Sequence, residues 1–160
     1  MNAKQAIKLA IDAGDFVGLG YLEDMSDKEL LQRPCPGCNH INWQVGHLIA
    51  AEHGMVSAVA PGAMPPLPAG FAEKYAKEAA TSDDPNAFVS KAELIRVHKE
   101  QRAGTLAALD AIPDDKLDAP SGMDFAPTVA SIFSLQGSHW LMHCGQWAVV
   151  RRQLGRKPLF

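Results

Sequence analysis

Two histidines four residues apart, His139 and His143, carry the strongest chemical signal in the chain. On a helix that spacing puts both rings on one face, one turn apart, where two imidazoles can meet one cation at about 2.0–2.1 Å each if it is zinc. A third ligand must come from another helix. His47 is the best placed, because it lies in the nearly all-apolar stretch NWQVGHLIAAEHGMV with Ala50, Ala51 and Gly54 leaving space beside it. Three neutral imidazoles and an open position describe a catalytic rather than a structural site, since structural zinc is normally closed by four protein ligands, often thiolates. Such an ion can acidify a water or a thiol and polarise a substrate oxygen. An HxxxH pair alone equally describes two core histidines tied to ordinary neighbours. What argues for more is that Gln136, His139 and His143 interrupt the stripe of Val129, Ile132 and Val150, where a buried helix face should be apolar.

Other residues bear on the same chemistry. His98 and Arg102 are one turn apart and are candidates to orient an anionic or thiolate substrate at the mouth of the site. Their plainer reading is a salt-bridged helix edge with Glu93 or another carboxylate. Gln44, Gln136 and Gln146 are candidates to support the ligands or to contact substrate, with Gln136 the one whose helical position best places it near the ligands. Cys35, Cys38 and His40 have the spacing of half a zinc knuckle, but no second ligand pair follows, so a reduced turn is the better reading. Cys144 is turned about 100° from the ligand stripe and reads as core. His53 and Glu52 read as surface or helix-end residues. Trp43, Trp140 and Trp147 read as core rather than as a binding platform.

The elements that must position these groups are helical almost throughout, because apolar residues recur at three- and four-residue spacing without sustained alternation. The pattern predicts a first helix over Ala3 to Asp24 and a short turn opened by Ser26 and Glu29 and ended by Pro34. A second helix from Trp43 to about Val59 follows, with Asn42 as its cap. A Pro- and Gly-rich connection from Ala60 to Pro85 holds one short helix around Phe71 to Ala79. Ser90 and Glu93 open a third main helix to about Ile112, and Pro127 and Thr128 start the last, which ends at Gly155. The expectation is an all-α, four-helix bundle with a long crossover between helices 2 and 3, in a single domain over 1–160. Leu135, Met142 and Val149 form a second apolar line on the last helix, facing a partner helix within the bundle or across a dimer.

Bulk composition narrows the function classes. With 160 residues and 47% hydrophobic content, one core can form without disulfides. The 15 basic and 18 acidic residues form no long run of like charge, so nucleic acid is not expected as a partner, and no apolar run is long enough to span a membrane. Three cysteines without an export-type segment point to reduced thiols and a cytoplasmic setting.

The stretch NWQVGHLIAAEHGM and the ending LQGSHWLMHCGQWAVVRRQLGRKPLF resemble the DinB-like helical bundle superfamily over essentially the whole chain. The resemblance implies metal ligands at His47, His139 and His143, up-down-down-up topology and frequently a homodimer. It also implies relatives that act as bacillithiol- or mycothiol-dependent S-transferases or isomerases, with a zinc- or nickel-like ion. The expected function is a metal-dependent transferase or hydrolase acting on a small-molecule substrate, with a low-molecular-weight thiol as cofactor. Gln136, His98 and Arg102 are the catalytic candidates. The alternative is a metal- or small-molecule-binding stress protein without turnover, and a third possibility is a metal-free interaction bundle. A protease reading lacks its general base, because no Glu stands between the paired histidines as in HExxH.

Overall fold

The computed structural model describes residues 1–159; Phe160, the last residue of the family-like ending, lies outside them. The described residues form five α-helices and no β-strand: α1 (Ala3–Glu23), α2 (Ile41–Val59), α3 (Phe71–Lys74), α4 (Lys91–Ala111) and α5 (Val129–Gln153). The count corrects the expected four. The extra helix is the single turn α3, which lies inside the long connection where a short helix was anticipated.

Local signals set most boundaries. Asn2 accepts from the Gln5 backbone at 2.9 Å while the Gln5 side chain accepts from the Asn2 N–H, a reciprocal cap that opens α1. Thr128 and Ser131 open α5 in the same way. At α4 only half of the anticipated box forms: Ser90 Oγ accepts from the Glu93 N–H, but the Glu93 carboxylate turns to Arg96 instead. At α2 the expected cap is displaced. His40, not Asn42, accepts from the Trp43 N–H at 3.0 Å, and the helix begins at Ile41. Asn42 is drawn inward, donating to the Val89 carbonyl and accepting from the Tyr75 hydroxyl, which bonds unavailable to a surface cap.

Helices α1 and α5 lie side by side, with Gly14 against Gly137, Gly18 against Trp140 and Asp24 paired to Arg151. Their backbones approach so closely that a Cβ on Gly137 would overlap the Ala10 carbonyl, and one on Gly14 would lie 2.6 Å from Gly137 O. Helix α2 packs between α4 and α5, and α1 also touches α4. The long connection lies on the first half of α2. Phe71 and Tyr75 are buried there, the Tyr75 ring fills the space a Cβ on Gly46 would need, and Trp43 Nε1 donates to the Ala76 carbonyl.

Two apolar clusters form the interior. One gathers Leu22, Trp43, Leu48, Leu94, Trp140 and Trp147, and the other Ile7, Ile11, Val56, Leu109, Val129 and Phe133. At intermediate positions along the same helices stand Asp15, Glu52, His98, Arg102, Thr105 and Gln136, a polar layer through the core. The loop before α2 corrects another expectation. Cys35 and Cys38 are joined in a disulfide, because the turn closed by the Cys38 N–H to Cys35 carbonyl bond brings their Cα atoms to 5.4 Å. Cys144 is a buried free thiol, pushed up to about 12 by burial.

Candidate metal centre

The interior face of α2 and the middle of α5 meet at three imidazoles. His47, His139 and His143 offer ligand nitrogens that all lie within 4.8 Å of one another. Their ring centroids are 5.7 Å apart for His47 and His139, 6.1 Å for His47 and His143, and 5.2 Å for His139 and His143. Helical spacing accounts for the α5 pair, and the packing of α2 on α5 brings the third ring across.

Two of the rings have distinct supports. His47 stacks on Trp43, one turn earlier, with parallel planes and centroids 4.9 Å apart. His143 has its Nδ1 2.9 Å from Gln44 Oε1, and the same oxygen accepts from Trp147 Nε1 at 2.8 Å. Indole N–H is a donor only, so the atom facing it must be the amide oxygen. The Gln44 amide nitrogen correspondingly donates to the Asn39 carbonyl at 2.6 Å and to Gln146 Oε1 at 3.0 Å. With an oxygen opposite its Nδ1, His143 carries its proton there and leaves the Nε2 lone pair free to ligate. The sequence pointed to Gln136 as the supporting glutamine; the structure puts Gln44 in that place. Gln136 is fully buried and donates to the Ile132 carbonyl of its own helix.

Burial keeps the cluster neutral. Desolvation pushes His139 and His143 down to about 4, with neighbouring imidazoles adding to the effect, and it lowers His47, where Lys77 adds a smaller contribution. Neutral imidazoles are the ligating form, so protons compete little with a cation here near pH 7. Three converging imidazole nitrogens, one of them fixed in its tautomer, fit a divalent transition-metal ion; hard oxygen-seeking cations would find no carboxylate in the cluster.

His47 and His139 open onto a cavity of about 620 Å³ lined also by Ala51, Met55, Phe125, Leu135, Ser138 and Met142. Another cavity of about 570 Å³, beside Leu31, Asn42 and Phe88, contains none of the three histidines. The other candidates lie elsewhere. His98 Nε2 is 3.2 Å and Arg102 Nε 3.1 Å from Asp15 Oδ1, and Arg102 Nη1 is 3.0 Å from Glu52 Oε1. Gln136, His98 and Arg102 thus belong to the buried polar layer, and none of them lines the cavity. Glu52, expected near the surface, is completely buried because Arg102 and the Thr105 hydroxyl of α4 meet its carboxylate, the hydroxyl at 2.6 Å. His53 is half-buried against Gln101 at 3.0 Å.

Helices packed around a three-imidazole cluster with an adjoining cavity define an all-α protein with a candidate metal centre. The chain belongs to the DinB superfamily, whose profile matches residues 18–147. The fold is similar to that in the crystal structure of a conserved protein from Enterococcus faecalis, with 16% sequence identity, a TM-score of 0.68, and coverage of 98% of this chain and 99% of that one. No curated protein matches the sequence.

Proposed function

We propose that the protein is a metal-dependent enzyme in which His47, His139 and His143 hold one zinc- or nickel-like ion and a substrate thiol approaches from the cavity side. The observation that carries this reading is the convergence of three neutral imidazoles, two of which face the cavity. A divalent cation held there supplies Lewis acidity, lowering the pKa of a thiol or a water on its open side. In this reading the chain's own residues do the rest: Trp43 orients His47, Gln44 holds the proton of His143 on Nδ1, and burial lowers the pKa of all three rings so that they favour the neutral form.

Thiol transfer is favoured over hydrolysis by the composition of the cavity wall. Activating water for attack usually calls for a positioned general base, and the residues lining the cavity include no carboxylate. Gln136, His98 and Arg102 enter this proposal as supports of the helices that carry the ligands, rather than as groups touching substrate. A low-molecular-weight thiol, a small-molecule acceptor, a homodimer and a cytoplasmic setting complete the reading. So does one domain whose four long helices run up-down-down-up, with the single-turn α3 in the connection between α2 and α4. The order of contacts supports that topology: residue numbers rise together along α1 with α5 (Gly14 with Gly137, Asp24 with Arg151) and run oppositely along α1 with α4 (Lys8 with Asp110, Asp15 with His98).

The test is element analysis of the untagged protein beside a His47→Ala, His143→Ala double variant. About one equivalent of metal in the wild type and none in the variant is the expected result; equal metal in both would end the proposal. Bound metal without accelerated thiol transfer to any of several electrophiles would favour a binding or storage role instead.

A further inference from the structure

The wall of the cavity is chemically one-sided. Ala51 and Met55 follow His47 at four and eight residues along α2, so all three share a face. Leu135, Ser138 and Met142 surround His139 on α5, and Phe125 joins the lining from the loop ahead of α5. Apart from the two imidazoles and Ser138, every lining side chain is apolar, and none is charged. Phe125 is 71% exposed and Met142 60% exposed, so this apolar rim faces solvent beside the His47 and His139 rings.

From this we infer that the site takes an uncharged small molecule with an alkyl or aryl body and a single donor atom, a thiol sulfur or its oxygen counterpart, which enters toward His47 and His139. The cation's charge is met at the donor end by the sulfur or oxygen that ligates it; beyond that end a charged body would give up hydration against side chains that carry no opposite charge, whereas an apolar one releases water from both surfaces. The two thioethers, Met55 and Met142, are flexible and polarisable, and so suit a pocket that admits bodies of varied shape, aromatic ones included. About 620 Å³ is room for a molecule of small-ligand size rather than a single water. The inference rests on the metal-centre reading only for the donor end of the ligand; the preference for an uncharged body rests on the wall alone.

The two parts separate experimentally. The protein is loaded with cobalt, and its visible spectrum is followed during titration with benzyl mercaptan and with 4-(mercaptomethyl)benzoate, which has the same thiol and ring plus one carboxylate. Benzyl mercaptan should half-saturate the change at a concentration lower by about tenfold or more, because the carboxylate sits across the ring from the cobalt-bound sulfur, against a wall without counter-charge. Leu135→Lys should erase or reverse that preference at unchanged cobalt content. Equal or tighter binding of the carboxylate by the wild type would overturn the inference. If no cobalt is taken up, the metal reading fails by itself, and the wall is then tested with the uncharged dye N-phenyl-1-naphthylamine. Fluorescence enhancement lost in Leu135→Lys supports the apolar pocket, and absence of enhancement overturns it. A dimer that Met142→Lys splits while benzyl mercaptan binding stays unchanged would assign this face to a second copy of the chain and overturn the inference as well.

Discussion

Gln44 Oε1 lies 2.9 Å from His143 Nδ1, and this contact joins the start of α2 to the middle of α5 at the point where the three imidazoles converge. The amide is itself held by Trp147 and by the Asn39 carbonyl, so it reaches His143 already oriented. A ligand imidazole whose second nitrogen is bonded in this way keeps one tautomer and one ring angle.

Replacing Gln44 by Ala should therefore weaken metal binding by roughly 10–100-fold, the range typical for loss of a partner behind a ligand. Gln44→Glu, which keeps an acceptor opposite His143, should restore most of the affinity. Competition with a chromophoric chelator measures both. Equal affinities for wild type and Gln44→Ala would show that the contact does not position the ring.

Acid should destabilise the metal-free protein in a definite window. His139 and His143 fall to about 4 in the fold from an ordinary 6.5, so between those values the unfolded chain binds more protons than the folded one. The stability that comes from keeping them neutral is fully present above about pH 6.5, and it declines as the pH falls through the window to about 4. Glu52, whose carboxyl is raised by burial, acts in the opposite direction. The informative comparison is thus between the wild type and a His139→Ala, His143→Ala variant, in which Glu52 contributes equally. Urea unfolding should show a smaller acid loss in the variant, and an identical loss in both would contradict the assignment.

Gly137→Ala should lower stability by about 1–3 kcal/mol, the usual cost of overpacking, because the added methyl meets the Ala10 carbonyl and α1 must move away. Gly145→Ala, on the same helix with open space at its Cβ position, should instead be neutral or raise stability by up to about 1 kcal/mol through helix propensity. Chemical denaturation of the two variants tests whether close backbone approach, rather than glycine itself, is what α5 requires.

Arg102→Met should cost about 3–5 kcal/mol, since it leaves Glu52 as an uncompensated buried carboxylate. Adding Glu52→Leu should recover much of that loss, because an apolar pair replaces the ionic one. A double variant no more stable than Arg102→Met would mean that the polar layer acts through Asp15 and His98 rather than through the Glu52 pair.

Much of this molecule can be read from short stretches of sequence. Apolar spacing marks the four long helices, and Asn2, Ser90 and Thr128 start three of them, because a cap and its N–H partner lie within three residues. The HxxxH spacing put His139 and His143 on one face, and the small residues after His47 marked it as their companion; the three rings do converge. Readings that depended on what lies opposite fared differently. Glu52 resembled a surface residue until Arg102 and Thr105 of α4 were seen to meet it, and Gln136 was preferred to Gln44 because the neighbour of His143 is 99 residues away in sequence. The Cys35–Cys38 bond depends on a turn that closes. The wall of the cavity draws Phe125, Met55 and Met142 from three separate segments. Periodicity and capping are properties of a few consecutive residues, and so the chain alone determined its helices and the face each imidazole occupies. Which face meets which is decided only when all the helices bury their apolar surface together, and that packing placed Gln44 behind His143 and the apolar wall beside His47 and His139.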